Sequence, residues 1–192
     1  MSQQELLISV VEVLRQVGAE FMLTGSFASS LQGEPRSTHD IDFVVELTAA
    51  QVGPLLKQFP NDRFYLSETA VREAIKNRRM FNLLELESGY KVDFWLLTDS
   101  PFDRSRFARR VADEIGGVTL GVSSPEDTIL AKLRWAKAYG GSEKQFTDAL
   151  SVFEIQGGTL DRDYLQHWVT QLELNKLWLE LLSAAKDVEG RG

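Results

Sequence analysis

The chain has 192 residues, of which 43% are hydrophobic and 26% charged, values typical of one globular domain or of one domain with a helical extension. It contains no cysteine, which excludes disulfides, thiolate catalysis and cysteine-ligated metal centres. With 28 acidic and 21 basic residues the net charge is −7, which disfavours broad non-specific binding to nucleic acid. The sequence has no apolar run of about 18 residues and no basic leader, so we expect a cytoplasmic protein without membrane contact.

Hydrophobic periodicity predicts interleaved helices and strands over residues 1–122. Apolar residues at helical spacing predict a helix over 4–17 that ends at Gly18. The other predicted elements are a strand at 21–24, a short helix at 27–31, a strand at 41–46, a helix at 49–59 capped by Thr48, a helix at 67–77, and strands at 81–87 and 90–97 joined by Ser88-Gly89. We therefore expect an α/β (α+β) domain with a mixed sheet flanked by helices.

From residue 123 to residue 192 the periodicity is helical, which predicts a second, C-terminal helical domain. Ser124, Pro125 and the acids after them are typical of a capped helix start. Helices are predicted at 125–138, 142–155 and 161–185, separated by glycine pairs. The last of these is rich in leucine, as expected of an interface with a second copy or a partner; its leucines are Leu172, Leu174, Leu177, Leu179, Leu181 and Leu182.

Three aspartates on two predicted strands form the main candidate site. Asp40 and Asp42 are two residues apart on one strand, so their side chains point to the same face. Paired carboxylates stay ionised together most readily when a hard cation such as Mg²⁺ or Mn²⁺ lies between them. Asp93 lies on a later predicted strand. If that strand is the neighbour of the first, the three acids form the oxygen-rich site of a two-metal phosphoryl transfer.

A glycine-serine turn before the first aspartate supplies the other half of the pattern. Gly25 lets the backbone approach a phosphate, and the helix that follows presents free N–H groups at its N-terminus. The hydroxyl of Ser26 adds one more donor. Arg36, in the loop before the aspartates, is a further candidate for contact with a phosphate or an acceptor. Together these residues have the chemistry needed to hold a metal–triphosphate complex.

This combination of Gly25-Ser26, Asp40-x-Asp42 and the later Asp93 resembles the nucleotidyltransferase (polymerase-beta-like) superfamily over residues 20–100. The segments 124–135 and 142–148 are similar to bacterial nucleotidyltransferase-like proteins related to the abortive-infection type E toxin transferases. The resemblance implies transfer of a nucleoside monophosphate from a nucleoside triphosphate (NTP) to an acceptor hydroxyl, with release of pyrophosphate.

The resemblance also implies a role for each site residue. Asp40 and Asp42 would bind both metal ions, while Asp93 would complete the catalytic metal site and help to activate the acceptor hydroxyl. Ser26 would contact the β- and γ-phosphates. Two residues of the helical half, Lys132 and Asp148, are similar to the family's later basic and acidic site residues; Lys132 lies at the edge of an apolar helix stripe, from which its ammonium could extend towards a triphosphate.

Three alternatives remain open from the sequence. The first is a catalytically silent NTP-binding or protein-interaction module of the same fold. The second concerns the acceptor, which could be a tRNA-like polyanion docked on the arginines or a small molecule such as an antibiotic; these arginines are Arg78, Arg79, Arg104, Arg106, Arg109 and Arg110. The third is a glycosyltransferase, which also uses Asp-x-Asp, but the short chain and the third aspartate disfavour it. The tryptophans, Trp95 among them, are expected to pack in the core.

Overall fold

The computed structural model of the chain describes residues 1–138 and 140–189, except for the side chains of 186–189. These residues form two compact units. The first consists of Met1–Phe27 and Ser37–Ser123, and the second of Ala28–Arg36 with the chain from Ser124 onward. Residues 28–36 therefore group with the helical half of the chain and not with the sheet that precedes and follows them. Within the described ranges, no helix is both long and apolar enough to span a membrane.

Helices and strands alternate along the first unit as the periodicity predicts. The elements up to Ser123 are α1 (Gln3–Gln16), β1 (Glu20–Thr24), α2 (Gly25–Gln32, which continues into the second unit), β2 (Asp40–Glu46), α3 (Val52–Gln58), β3 (Phe64–Tyr65), α4 (Glu68–Asn77), β4 (Met80–Glu85), β5 (Lys91–Leu96), α5 (Pro101–Ala108), β6 (Val111–Ile115) and β7 (Val118–Val122). The predicted helix at 49–59 is a 3-10 turn, Ala49–Gln51, followed by α3.

Seven strands of the described chain form one mixed sheet in the order β3-β4-β5-β2-β1-β7-β6. β2 lies between β1, to which it is antiparallel, and β5, to which it is parallel. On one face of the sheet Phe43, Phe94 and Phe81 stack across three neighbouring strands, with ring centroids 6.1 and 4.8 Å apart. These rings are buried, and each contributes apolar area and ring contacts to the core. The residues between them along each strand therefore point to the opposite face.

The apolar stripe of α1 is buried as its spacing requires. Six of its residues have at most 7% of their surface exposed, and they are Leu6, Leu7, Val10, Val11, Val13 and Leu14. Ser2 caps this helix through a hydrogen bond with the N–H of Glu5, and the Glu5 carboxylate accepts from the N–H of Ser2 in return. The sequence therefore specifies both the start of this helix and the face that it buries.

The second unit contains the four helices α6 (Pro125–Ala138), α7 (Glu143–Gln156), α8 (Arg162–Gln171) and α9 (Asn175–Glu189) within the described residues. The prediction of one continuous helix over 161–185 is wrong. Glu173 has φ +54°, a left-handed conformation that ends α8. The turn that follows buries Leu174, whose N–H donates to the carbonyl of Val169. Burial of this leucine offsets the break in the helix.

Four elements of the first unit were not predicted from the sequence. β3 has two residues, too few for alternation to be visible. β6 has four exposed residues at the edge of the sheet, so it lacks an apolar face. Gly116 and Gly117, both with positive φ, form the turn between β6 and β7, and this glycine pair was the available signal for a hairpin. Ser100, which caps α5 by accepting from the N–H of Asp103, was the corresponding signal for that helix.

Candidate active site

The three candidate aspartates lie on one face of the sheet in the first unit. Asp40 and Asp42 are both on β2, and Asp93 is on β5, the parallel neighbour of β2. Asp42 and Asp93 are direct partners in the pairing of these two strands. Parallel partners in register have side chains on the same face, so the condition that the sequence analysis set for a three-carboxylate site is met by the strand order.

Gly25 lies directly against the carboxylate of Asp42. A Cβ atom built on Gly25 would be 2.6 Å from Asp42 Cγ, a distance that no real side chain tolerates. Gly25 also has φ +67°, which favours glycine. Glycine at the first position of α2 is thus required by its contact with Asp42, a reason additional to the phosphate approach that the sequence suggests.

Asp42 is also held from the side of β5. The Nε1–H of Trp95 donates to Asp42 Oδ1 over 3.3 Å. Trp95 packs beside the buried cluster of Met22, Val44, Leu97 and Phe107. The expected packing role of this tryptophan is therefore only part of its function in the structure, because its polar edge also orients a candidate metal ligand.

A lysine that the sequence analysis missed lies among the acids. Lys91 Nζ is 3.0 Å from Asp93 Oδ2 and 3.5 Å from Asp40 Oδ1. Lys91 precedes Asp93 by two residues on β5 and is the register partner of Asp40. A residue two positions before a strand aspartate shares its face, and this spacing, combined with the opposite charge, was the signal in the sequence.

The two oxygens of Asp93 have different environments. Oδ2 is paired with Lys91, whereas Oδ1 is buried and has no hydrogen-bond partner. Burial raises the pKa of Asp93; contact with Lys91 lowers it and the charge of Asp40 raises it, and the net result is a raised pKa. Burial alone would lower the pKa of Lys91, but the carboxylates of Asp93 and Asp40 outweigh it and raise the pKa. Lys91 is therefore held as a cation by the acids around it.

The donor chemistry of this face suits a hard divalent cation. Mg²⁺ and Mn²⁺ prefer carboxylate oxygens, and Asp93 Oδ1 is a buried acceptor that lacks a donor. In the described part of the chain, however, no group of three or more His, Asp or Glu side chains is close enough to hold a metal ion. The Lys91 ammonium contacts two of the three candidate ligands. The donor types and the unpartnered Asp93 Oδ1 suit a metal ion, but the present arrangement of these side chains is that of an ion-pair cluster.

Arg36 and Lys132, the two basic candidates, lie in the second unit, where both contact Asp148. Arg36 donates to Asp148 from Nε and Nη2, each over 2.7 Å. Lys132 Nζ is 2.7 Å from Asp148 Oδ2, and both side chains of this pair are at least 93% buried. Ser29 Oγ lies 3.5 Å from the same oxygen. Arg36, which the sequence did not connect with Lys132 and Asp148, therefore forms one cluster with them.

The charge state of Asp148 follows from these contacts. Its burial raises the pKa, but the hydrogen bonds and charges of Arg36 and Lys132 outweigh burial and bring the pKa below its ordinary value. The same contact raises the pKa of Arg36. Asp148 is thus an ionised carboxylate that joins the end of the 28–36 segment to α6 and α7.

Three of the six arginines proposed as a docking surface for a polyanion form ion pairs with acids of the first unit. Arg104 Nη2 is 2.6 Å from Asp99 and its Nη1 is 3.1 Å from Glu46. Arg110 pairs with Glu20 over 2.8 Å and stacks on the Phe107 ring. Arg106 Nε lies 3.2 Å from Asp103. Their positive charge is therefore partly neutralised within the unit, which weakens the argument for a nucleic-acid surface.

Ser26 and the two histidines are the remaining candidates from the sequence. Ser26 follows Gly25 in the first turn of α2. His39 is exposed immediately before β2, and His167 lies on α8 with its ring 5.0 Å from that of Trp168. Neither histidine contributes to either cluster through an observed contact.

Solved structures of nucleotidyltransferases have the same fold. An antigenic nucleotidyltransferase-like protein from Paracoccidioides brasiliensis is 19% identical, with a TM-score of 0.56 over 96% of this chain and 92% of that chain. The lincosamide antibiotic adenylyltransferase LnuA, lincomycin-bound, is 10% identical, with a TM-score of 0.55 over 81% of this chain and 98% of that chain. The antibiotic-resistance factor ANT(2'')-Ia is 14% identical, with a TM-score of 0.52 over 93% of this chain and 95% of that chain.

No family model matches the sequence, and no curated protein is significantly similar to it. The similarity to solved structures is therefore one of fold, at identities of 10–19%. The nucleotidyltransferase fold, which the sequence resemblance implied, is confirmed.

Proposed function

We propose that the chain is a metal-dependent nucleotidyltransferase that moves a nucleoside monophosphate from an NTP to an acceptor hydroxyl. In this reaction the acceptor oxygen attacks the α-phosphorus, the bond from that phosphorus to the bridging oxygen breaks, pyrophosphate leaves, and the acceptor proton is lost. The observation that carries the proposal is the register of β2 and β5, which pairs Asp42 with Asp93 beside Asp40. This arrangement lies on a nucleotidyltransferase fold.

The metal-binding and hydroxyl-activating roles in this proposal are those that the family resemblance implies, and contacts around Asp42 support its place in the site. Asp40, Asp42 and Asp93 would hold Mg²⁺ or Mn²⁺, which when bound would lower the pKa of the acceptor hydroxyl and neutralise charge on the leaving pyrophosphate. Gly25 leaves room for the Asp42 carboxylate, and Trp95 orients it. Asp93 helps to activate the acceptor hydroxyl.

The triphosphate is assigned to the start of α2. Gly25 and Ser26 form the first turn of this eight-residue helix, where backbone N–H groups and the helix dipole favour an anion. The Ser26 hydroxyl can donate to the β- and γ-phosphates. Arg36 and Lys132 remain candidates for nucleotide contact, although both bind Asp148, and they would have to keep or exchange this contact when nucleotide binds.

For the acceptor we propose a small hydroxylated molecule in preference to a tRNA or another polyanion. The chain carries a net charge of −7, and Arg104, Arg106 and Arg110 are paired with acids of their own unit. A polyanionic acceptor would have to displace these acids and overcome the overall charge. The fold also accommodates small antibiotics, since LnuA has been solved with lincomycin bound.

The proposal is tested by titrating each of the four NTPs with Mg²⁺ into the wild type and into an Asp40→Asn/Asp42→Asn variant, with calorimetric detection. Pyrophosphate release is followed in the same samples against two sets of acceptors, aminoglycosides and lincosamides on one side and total tRNA on the other. We expect Mg²⁺-dependent binding of at least one NTP to the wild type and loss of that binding in the variant. We also expect pyrophosphate release only when a small-molecule acceptor is present.

Each alternative has its own outcome. Binding without pyrophosphate release for any acceptor would support a catalytically silent NTP-binding module. Release that depends on tRNA would overturn the proposal for the acceptor class but not the one for the reaction. Absence of NTP binding to the wild type would contradict the nucleotidyltransferase proposal as a whole.

A further inference from the structure

Lys91 is placed where a divalent cation would be expected. Its ammonium lies 3.0 Å from Asp93 Oδ2 and 3.5 Å from Asp40 Oδ1. It therefore bridges carboxylates of two neighbouring strands, as an ion between β2 and β5 would. A lysine ammonium has one positive charge and donates hydrogen bonds to carboxylate oxygens. A divalent ion has two positive charges and is coordinated directly by those oxygens.

The ion pair with Lys91 does not neutralise all the negative charge of this cluster. Lys91 neutralises at most one of the three carboxylate charges of Asp40, Asp42 and Asp93. Asp93 is 91% buried, yet its Oδ1 has no hydrogen-bond partner. A buried acceptor without a donor is costly, so the cluster as it stands is not at an electrostatic optimum. An ion with higher charge would improve it.

Lys91 itself is able to leave. Its side chain is 36% exposed and that of Asp40 is 50% exposed. A lysine has a flexible four-carbon stem, so the ammonium can move into solvent without a change in the strand. By contrast, Lys132 is only 5% exposed and has no comparable route to water along its own side chain.

We infer that Lys91 is a built-in counter-ion of the acidic site, which holds Asp93 and Asp40 together in the metal-free protein and is displaced when a divalent cation binds. The displaced ammonium then moves into solvent, to which its side chain is already 36% exposed. This inference rests on the proposed function only in taking the three aspartates as metal ligands. Lys91 is a positioning residue, since it acts through the carboxylates.

The direct test measures Mn²⁺ binding without nucleotide, by electron paramagnetic resonance of free Mn²⁺, in the wild type, Lys91→Met and Lys91→Arg. Removal of a like charge a few ångströms from the ion is expected to tighten Mn²⁺ binding about tenfold in Lys91→Met. Lys91→Arg retains a cation that can pair with two carboxylates, so its affinity should stay near that of the wild type. Lys57→Met removes the same charge at an exposed site on α3 and should leave the affinity unchanged.

The stability of Lys91→Met without metal should decrease, although its affinity for Mn²⁺ should increase. Without Lys91 the three carboxylates repel one another, so Lys91→Met is expected to have a lower melting temperature than the wild type in chelator and to recover most of the difference in Mn²⁺. An affinity for Mn²⁺ that is equal to or weaker than that of the wild type would overturn the inference, because a displaced counter-ion must compete with the metal.

A measurement on the wild type avoids any folding defect of the variants. The rate at which an amine-reactive acylating reagent modifies Lys91 is measured by mass spectrometry with and without Mg²⁺, and Lys57 serves as the internal reference. Displacement from the two carboxylates should accelerate modification of Lys91 severalfold in Mg²⁺. An unchanged rate at saturating Mg²⁺ would contradict the inference.

Failure of this inference and failure of the proposed function can be told apart. If Lys91→Met binds Mn²⁺ more tightly and the wild type releases no pyrophosphate, the counter-ion inference stands and the proposed transferase function is overturned. If the wild type turns over and Lys91→Met does not change the Mn²⁺ affinity, the proposed function stands and the counter-ion inference is overturned. No Mn²⁺ binding by any of the proteins without nucleotide would overturn the inference, whereas the proposed function is decided separately by Mg²⁺-dependent NTP binding.

Discussion

The two charged clusters of the molecule use their carboxylates in different ways. In the second unit both oxygens of Asp148 accept from cations, namely Arg36 and Lys132. In the first unit Asp93 has one oxygen paired with Lys91 and one oxygen without a hydrogen-bond partner. A carboxylate whose two oxygens both accept from cations is typical of a structural ion pair, whereas one with an unused acceptor beside two more acids has the capacity to bind a ligand.

The two clusters also differ in how far their side chains are exposed to solvent. The side chains of Lys132 and Asp148 are 5% and 7% exposed, while those of Lys91 and Asp40 are 36% and 50% exposed. Solvent access lets ions enter the first cluster and lets its lysine leave. Under the proposed function, turnover would depend mainly on the first cluster and stability mainly on the second, and substitutions in each should separate these two properties.

The largest effect is expected from Asp42→Asn. Loss of one carboxylate from the candidate metal site should lower pyrophosphate release at least about a hundredfold. The asparagine keeps an oxygen that can accept from Trp95, so the free energy of unfolding should stay within about 1 kcal/mol of the wild-type value. Steady-state kinetics and urea denaturation measure the two quantities.

Asp113→Asn is the matched control for this substitution, since Asp113 is an exposed strand aspartate of the same unit. It should change neither quantity. Full activity of Asp42→Asn would remove the first cluster from the chemistry and with it the contrast between the two clusters.

Asp148→Ala is expected to have the converse effect. It leaves two cations, Lys132 among them almost fully buried, without their shared carboxylate. The free energy of unfolding should fall by about 3 kcal/mol or more, as for other buried ion pairs from which one partner is removed. Urea denaturation measures this value, with Glu154→Ala as the control because Glu154 is exposed on the same helix. A loss no larger than that of the control would show that the Asp148 cluster is not a stabilising one.

Gly25→Ala tests the contact between the glycine and Asp42. An alanine at φ +67° is strained by about 1 kcal/mol, and its Cβ would also displace the Asp42 carboxylate. We expect a loss of activity of about tenfold or more beyond the loss of stability. Gly18 has the same φ but no atom within 4 Å of a Cβ, so Gly18→Ala reproduces the strain without the collision. Equal activity in the two variants would contradict the proposed reason for Gly25.

The smallest effect is the pH dependence contributed by Asp148. Its pKa in the folded protein lies below the ordinary value of 3.8, so its contribution to stability is present above that value and is lost as the pH falls through the folded pKa. The stability difference between the wild type and Asp148→Asn should therefore shrink as the pH is lowered from about 5 to about 2. Denaturation curves over this range measure the difference. A constant difference would show that Asp148 is not depressed in pKa.

The sequence predicted the parts of the fold that repeat along the chain. The stripe of α1, the start of α6 at Ser124 and Pro125, and the strands that carry Asp42 and Asp93 all depend on local periodicity or on capping chemistry. The pairing of those two strands with each other was only a condition of the sequence argument, because it is a long-range contact. The break between α8 and α9 could not be seen, because the leucine spacing is continuous through it. It depends on the burial of Leu174, which is a tertiary effect.

The candidate site was predicted less completely than the fold. The three aspartates were predicted as site residues from spacing and resemblance, and this stays a prediction. Lys91 was not predicted, because the strand order that makes it the partner of Asp40 is set by long-range pairing. Asp148 was considered apart from Arg36 for the same reason, since 112 residues separate them in the chain. Charge partners that are distant in sequence require the fold before they can be assigned.

The most direct test is a crystal structure with Mn²⁺ and a non-hydrolysable NTP analogue, in which the anomalous scattering of manganese locates the ion. The structure leads us to expect an anomalous peak bounded by the carboxylates of Asp40, Asp42 and Asp93, with the triphosphate at the first turn of α2 and the Lys91 ammonium withdrawn from Asp93. A peak elsewhere, or bound nucleotide with Lys91 still paired to both carboxylates, would contradict this account of the site.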